Sequence, residues 1–478
     1  MRGRWPLLLI VIAAPVVAIL TSFAVEWKYN RDFRAAAVEA LKLDTAQAEA
    51  LTLERVCASG DPALAELCGT YNNLTLMRNS SIWAGAIGLA LFFGIAIAGR
   101  VAQVNRTLLW VLFAPGLHAT VVTVSGLMLV DAALLIAAIY YVETAFLGKF
   151  HVVMLGMIGL GAVAAVFAMI QSAFSVVRRA STTVVGKILE ETDAPGLWNL
   201  VRATAAKIGT LPPEDLVAGM DPNFFVTETK VVCLDGEIDG RTLFVSLPLC
   251  RLMSVSELEA IIGHELAHFK GEDTRFSERF YPVYKGATNA CAVLGGGADD
   301  GVAALARLPG LAILYHFLAS FSSAESKISR DREIAADREG AQATTALIAA
   351  TALVKVHAYV PYWEAFEKST VDAIGEGKMF TNPCAFFADT MRGLREKPSF
   401  LDGLDEQHTA HPTDSHPPLR ERLRALGFGL QDIPSGVLTS DPETPASTLF
   451  ADNEGTEAAV GEVHQWVLAK RAGKAAGA

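Results

Sequence analysis

Uncharged runs dominate the first third of the chain. Residues 5–25, WPLLLIVIAAPVVAILTSFAV, carry no charge, long enough for a helix to cross a hydrocarbon layer of ~30 Å at ~1.5 Å per residue. The preceding MRGR resembles the charged start of a secretory signal. The apolar run, however, exceeds the ~15 residues usual for a signal and no small-x-small cleavage pattern precedes Glu26, which favours a retained anchor. Residues 82–99, IWAGAIGLALFFGIAIAG, predict a second crossing, and residues 151–174 another. Between them, residues 107–142 are apolar for longer than one crossing needs and are interrupted by Pro115-Gly116 and Asp131. This pattern predicts one crossing plus an interfacial piece, with Asp131 marking the end of a span.

From Arg178 onward the pattern changes to mixed charge with Pro212-Pro213 and Pro222, which predicts the start of a domain outside the lipid. FFVTET, KVVCLDG and RTLFVSL are short, β-branched or aromatic and punctuated by Gly and Asp, so they predict a small strand cluster around residues 224–247. Beyond residue 254 the periodicity is helical almost to residue 427. Residues 287–321 contain the apolar LPGLAILYHFLASF, but Arg307, Pro309 and His316 favour helices lying against a membrane over helices crossing it. The tail reads mostly as loop with a short closing helix near residues 455–471. The expected organisation is a first transmembrane helix at 1–25, an extracytoplasmic loop at 26–81 and three further transmembrane helices at 82–175. A mainly helical α+β domain at 176–430 and a C-terminal tail at 431–478 complete it.

Composition sharpens this reading. Hydrophobic residues make up 52% of the 478, and the formal charge is −11 with no long basic run, so a lipid bilayer is an expected partner and nucleic acid is not. Arg2 and Arg4, Arg100 and Arg106, and Arg178 and Arg179 all fall on one side if there are four crossings, which predicts a cytoplasmic location for that side and for the following domain. A bacterial inner membrane is the expected location. Residues 26–81 then lie outside, where Cys57 and Cys68 are able to form a disulfide. Six cysteines without a CxxC pair do not support a cysteine-held zinc.

One helix carries chemistry. In SELEAIIGHELAHFKG, Ser256 followed by Glu259 reads as a capping box, and Gly271 as the stop. His264 and His268, four positions apart, share a face and can grip one tetrahedral ion, with Glu265 beside them. A catalytic ion needs a third protein ligand and an open position. The downstream segment SRDREIAADREGA, residues 329–341, offers Glu333 and Asp337 on a second helix, with Ala335 and Ala336 allowing close approach; spacing alone does not choose between the two carboxylates. A third segment, HTAHPTDSHPPLRERL, residues 408–423, holds three histidines and a Pro-Pro turn before a basic helix.

Taken in order, HELAHFKGED, SRDREIAADREGA and SHPPLRERL resemble the integral-membrane zinc metalloproteases that include the bacterial heat-shock protease HtpX and the CAAX prenyl endoproteases. The likeness covers about residues 185–430, including DAPGLWNLVRATAAKIG and DPNFFVTE. It implies a zincin-like fold and one Zn2+ per chain held by His264, His268 and Glu333. It further implies Glu265 as the catalytic carboxylate and Asp337 as the partner that orients a ligand histidine, with His416 and Arg422 near the transition-state oxyanion. Asn223 falls in the family's Asn-Ala-Phe segment, near a possible substrate edge, but Phe224 stands where Ala is usual. The family's pair of membrane helices is also not evident as a clean hairpin in residues 287–321, ahead of SRDREIAADREGA. The expected activity is endoproteolysis of polypeptide substrates, with misfolded or membrane proteins as the suggested kinds. The rival reading is an inactive membrane scaffold with a structural zinc; the sequence names no other protein partner.

Overall fold

The computed structural model describes residues 5–42, 44–58, 62–174, 181–295, 307–395, 404, 417–434, 436–437 and 440–473. These fall into two compact units, one of residues 1–177 and 283–325, the other of residues 178–282 and 326–478.

The first unit is helical. Four of its helices are long and apolar enough to cross a bilayer: α1 (Trp5–Leu41), α4 (Ala65–Ala102), α5 (Arg106–Val142) and α6 (Val152–Phe174). Side chains such as Leu160, Val153 and Phe167 remain largely exposed, the arrangement of a surface whose solvent is lipid. The helices overrun the apolar stretches that announced them. α1 and α4 continue through much of residues 26–81, joined by the short helices α2 (Thr45–Ala50) and α3 (Leu53–Ala58). Their polar extensions are tied by an ion pair between Arg78 and Glu26. Cys57 and Cys68 are joined in a disulfide within this connection.

Residues 107–142 differ from the expected crossing plus interfacial piece: α5 is one continuous helix through Pro115 and Gly116. Helices in lipid tolerate such residues where neighbours cover the freed backbone, and the ring of Phe317 packs over Gly116. Asp131 consequently does not end the helix. It lies well inside α5, 4% exposed, with one carboxylate oxygen lacking a hydrogen-bond partner.

The segment 283–325 packs within this same unit. It comprises the end of α10 (Asp273–Gly295) and the start of α11 (Leu308–Ala343). Pro309 occupies the second position of α11, where a missing N–H is harmless. His316 is buried, with its Nε2 3.1 Å from the Phe92 carbonyl and its ring stacked on that of Phe92. His316, one of the residues that argued for a surface position, is thus absorbed by the packing.

The second unit is mainly helical with two small sheets. Strands β2 (Gly186–Leu189), β3 (Asp215–Gly219), β7 (Thr242–Ser246) and β4 (Phe225–Thr227) pair in that order. The β3–β7 pair is parallel and the outer pairs are antiparallel, with Phe225 opposite Phe244. Strands β1 (Ser181–Thr183), β5 (Lys230–Cys233) and β6 (Gly236–Ile238) form the other sheet. Alternation explains why the middle residues of β3 and β7 are apolar on both faces. Leu216, Ala218, Leu243 and Val245 join the main core, whereas Val217 and Phe244 join a second cluster with Val184 and Val231. The main core also takes in α7 (Pro195–Ile208), α9 (Val255–Lys270), α12 (Ala346–Tyr359) and α14 (Pro383–Arg395). The closing helix, α16 (Asn453–Arg471), buries Glu457 against Arg251 and Asn382. A mostly helical protein with four candidate spans followed by a small mixed-sheet domain is the architecture the sequence predicted.

Candidate metal centre

The histidine helix begins two residues earlier than the sequence suggested. Ser254, not Ser256, is the cap: its hydroxyl accepts from the Glu257 N–H, and Glu257 accepts from the Ser254 N–H. Both residues satisfy a Ser-x-x-Glu pattern, and the chain turns where burial decides. Glu257 is buried and paired with Lys355 of α12 at 2.8 Å, while Glu259 reaches Lys207 of α7. Leu258, Ile262 and Leu266 anchor α9 in the core.

α9 and α11 cross almost backbone to backbone. A Cβ on Gly340 would stand 2.5 Å from the Ala260 carbonyl oxygen, and one on Gly263 3.1 Å from the Gly340 Cα. This contact brings Glu333 over the two imidazoles. Its Oε2 is 3.6 Å from His264 Nε2 and its Oε1 3.4 Å from His268 Nε2. Ligands about 2.1 Å from a tetrahedral ion lie about 3.4 Å apart, so these three side chains are spaced to hold a divalent cation. They form a group of potential ligands among the described residues, with ligand atoms all within 4.8 Å of one another.

Hydrogen bonds set the donor chemistry. Asp337 Oδ1 is 2.9 Å from His264 Nδ1, and Asp273 Oδ2 is 2.9 Å from His268 Nδ1. A carboxylate can only accept here, so both Nδ1 atoms carry a proton, and both Nε2 atoms face Glu333. Arg422, on α15 (Leu419–Ala425), grips Asp337 bidentately at 2.8 and 2.6 Å. Burial pushes Asp337 up, but Arg422 and His264 outweigh it and hold its carboxyl well below the ordinary range. Burial likewise opposes charge on His264, yet Asp337 and Glu333 prevail and raise its pKa to about 10. A pocket that favours positive charge at this point suits a cation.

Glu265, largely buried, has Oε1 4.0 Å from His264 Nε2 and borders a cleft of about 710 Å³. Ala349, Ala352, Leu353 and Val356 form an apolar wall of this cleft, and Asn223 and Arg422 also line it. The Asn223 carboxamide oxygen accepts from the Phe224 N–H. Of the residues anticipated from sequence, His264, Glu265, His268, Glu333, Asp337, Asn223 and Arg422 gather here. His416 lies outside the described residues. Glu333, and not Asp337, stands on the Nε2 side of both imidazoles, a choice that spacing left open. Asp273 was missed. It sits five residues beyond His268, within the quoted motif, but nothing in helical spacing directs it back to the ring.

Crossed helices bearing an HExxH pair and a glutamate, beside a small mixed sheet, make an arrangement suited to a metal-dependent peptidase. Comparison with known proteins agrees: residues 234–427 match the profile of peptidase family M48. Similar stretches occur in a protease HtpX homologue of Thermodesulfovibrio yellowstonii, 34% identical over 97 residues covering 19% of this chain and 30% of that protein. The HtpX homologue of Thermococcus sibiricus is 33% identical over 88 residues, 18% of this chain and 28% of that protein. That of Methanocaldococcus jannaschii is 32% identical over 92 residues, 19% and 30% respectively. The matched part therefore spans less than a third of these relatives' length. Residues 234–427 are thus similar to peptidase family M48 domains, including those of protease HtpX homologues, and the described residues of the same chain include four helices long and apolar enough to cross a membrane.

Proposed function

We propose that this protein is a membrane-anchored, zinc-dependent endopeptidase that hydrolyses peptide bonds of polypeptide substrates. The observation that carries this reading is the gathering of one ligand atom each from His264, His268 and Glu333 within 4.8 Å of one another, with a second carboxylate, Glu265, beside them at the cleft. The three residues would hold one Zn2+ per chain. When bound, zinc supplies a Lewis acid that polarises a scissile carbonyl and makes water acidic enough to attack at neutral pH. Glu265 takes the proton from the attacking water and later delivers it to the leaving amine. Asp337 keeps His264 in the tautomer whose Nε2 can ligate, and Arg422 holds Asp337 in place. Arg422 also borders the cleft; to it, and to His416 from the likeness in sequence, we assign the stabilisation of negative charge on the reacting carbonyl oxygen.

An extended peptide pairs with the outer edge of β4, where backbone hydrogen bonds give affinity with little demand on sequence. The apolar wall of Ala349, Ala352, Leu353 and Val356 accepts a hydrophobic side chain beside the scissile bond. Such recognition suits misfolded or membrane polypeptides. The arginines flanking the apolar helices favour a cytoplasmic catalytic domain on a bacterial inner membrane, and the Cys57–Cys68 disulfide suits the opposite, oxidising side. The deciding experiment measures zinc content and cleavage of an unfolded protein by the detergent-purified wild type and by Glu265→Gln. One zinc per chain in both, with cleavage lost only in the variant, is expected. Equal cleavage by both would exclude Glu265 as the base, and a zinc-bearing wild type that cleaves nothing would favour the scaffold.

A further inference from the structure

The two imidazoles are not supported in the same way. His264 is backed by a carboxylate on another helix, whereas His268 is backed by Asp273, only five residues further along its own chain. On an unbroken helix a residue five positions on lies about 140° around the axis and ~7.5 Å along it, out of reach of the ring. The chain breaks between α9 and α10 to make the contact. Gly271 ends α9, and Glu272 adopts φ +56°, a left-handed conformation disfavoured for a residue with a Cβ. The next residue, Asp273, is thereby turned back onto His268 Nδ1 at 2.9 Å and buried to 8% exposure.

A second cation secures it. Arg332, the residue before Glu333, places Nε 3.1 Å from Asp273 Oδ1 and Nη2 3.2 Å from Oδ2. Its guanidinium passes over Gly271 so closely that a Cβ there would stand 1.5 Å from Nη2. Gly271 itself has φ −82°, which any residue adopts, so a side chain here would displace the guanidinium without straining the backbone. Neighbouring positions of α11, Arg332 and Glu333, thus reach the two nitrogens of one imidazole, through Asp273 at Nδ1 and directly at Nε2.

We propose that Asp273, clamped by Arg332 across Gly271, is a positioning residue that holds His268 with Nδ1 protonated and Nε2 aimed at the metal. This is a counterpart, built from a different part of the chain, to the Asp337–Arg422 support of His264. The proposal rests on the metal-site reading given above. A carboxylate behind a ligand histidine fixes ring orientation and raises ligand basicity, and its loss typically costs about 10–100-fold in metal affinity.

The test uses the full-length, detergent-purified protein. The readouts are the zinc dissociation constant by chelator competition, the visible spectrum of the cobalt-substituted protein, and the unfolding temperature without metal. Asp273→Ala should weaken zinc about 10–100-fold and alter the cobalt bands, with the metal-free unfolding temperature little changed. Asp273→Asn, which keeps an oxygen for Nδ1–H, should recover much of the affinity. Gly271→Ala should weaken zinc by displacing Arg332 without backbone strain. Folded Asp273→Ala and Gly271→Ala proteins that bind zinc within about threefold of wild type, with unchanged cobalt spectra, overturn the proposal. If Asp273→Ala does not fold, Gly271→Ala decides by the same readouts. A wild type that takes up no zinc would instead sink the metal-site reading itself, and this proposal with it.

Discussion

Gly340→Ala tests whether the crossing of α9 and α11 sets the spacing of the metal ligands. The added methyl would stand 2.5 Å from the Ala260 carbonyl oxygen and 3.3 Å from the His264 amide nitrogen, both backbone atoms that no rotamer change can move. Ordinary contact requires roughly 1 Å more, so the helices must separate or tilt. Glu333 lies seven residues, ~10 Å, from Gly340 along α11, and a tilt transmits roughly half of that shift to its carboxylate. Metal ligands tolerate only ~0.2 Å, and misplacement of catalytic groups by ~1 Å can cost ~100-fold in rate. On stability the substitution gains ~1 kcal/mol of helix propensity and loses ~1–3 kcal/mol to overpacking, so the protein should stay folded. The expected result is at least about a tenfold fall in cleavage rate and a measurable weakening of zinc, with an unfolding temperature near that of wild type. Gly393→Ala is the control, since it is helical and exposed with nothing near the added methyl. A folded Gly340→Ala protein with wild-type zinc affinity and rate would refute the argument that this contact fixes the site.

Other outcomes are equally definite. Glu265→Gln should keep its zinc and lose about 100- to 10,000-fold in cleavage, measured on an unfolded protein substrate. Lys355→Met strands the Glu257 carboxylate in the core, with the pair 3% and 7% exposed, and should cost about 3–5 kcal/mol in chemical denaturation. The double change Lys355→Met with Glu257→Leu should recover most of it. Prolonged chelation should abolish cleavage and stoichiometric zinc should restore it; cleavage that persists in a demonstrably metal-free protein would contradict the mechanism. Gel-shift labelling of the denatured chain should attach four maleimides before reduction and six after it, because Cys57 and Cys68 are paired and Cys233, Cys250, Cys291 and Cys384 are free.

Local patterns were legible where the physics is local. Four apolar stretches announce four long helices because no water in the lipid layer competes for their backbone. His264 and His268 share a face because helical spacing leaves no alternative, and the order of three motifs was enough to suggest the family. The strands of residues 225–246 were legible from their β-branched and aromatic residues, whereas β1, β2 and β3, short and set among charges and prolines, were not. Pro115, Gly116 and Asp131 suggested a broken α5, yet the helix is continuous, because Phe317 of a distant segment covers Gly116 and the packing around Asp131 buries it inside the bundle. Ser254 and Ser256 present the same capping pattern, and only the buried Lys355 beside Glu257 shows which is used.

The sequence by itself determined the kinds of group available: two imidazoles and a catalytic carboxylate on one helix, two further carboxylates on another, and enough apolar length to hold the chain in a bilayer. The tertiary structure alone decided which group does what. Glu333 faces Nε2 of both histidines and Asp337 faces Nδ1 of one because two glycines let α9 and α11 cross at backbone contact. Asp273 reaches the other Nδ1 because a left-handed residue reverses the chain behind it. Periodicity specifies the face on which a side chain emerges. The angle and distance at which two faces meet depend on contacts between residues far apart in the chain, and those are settled only by packing.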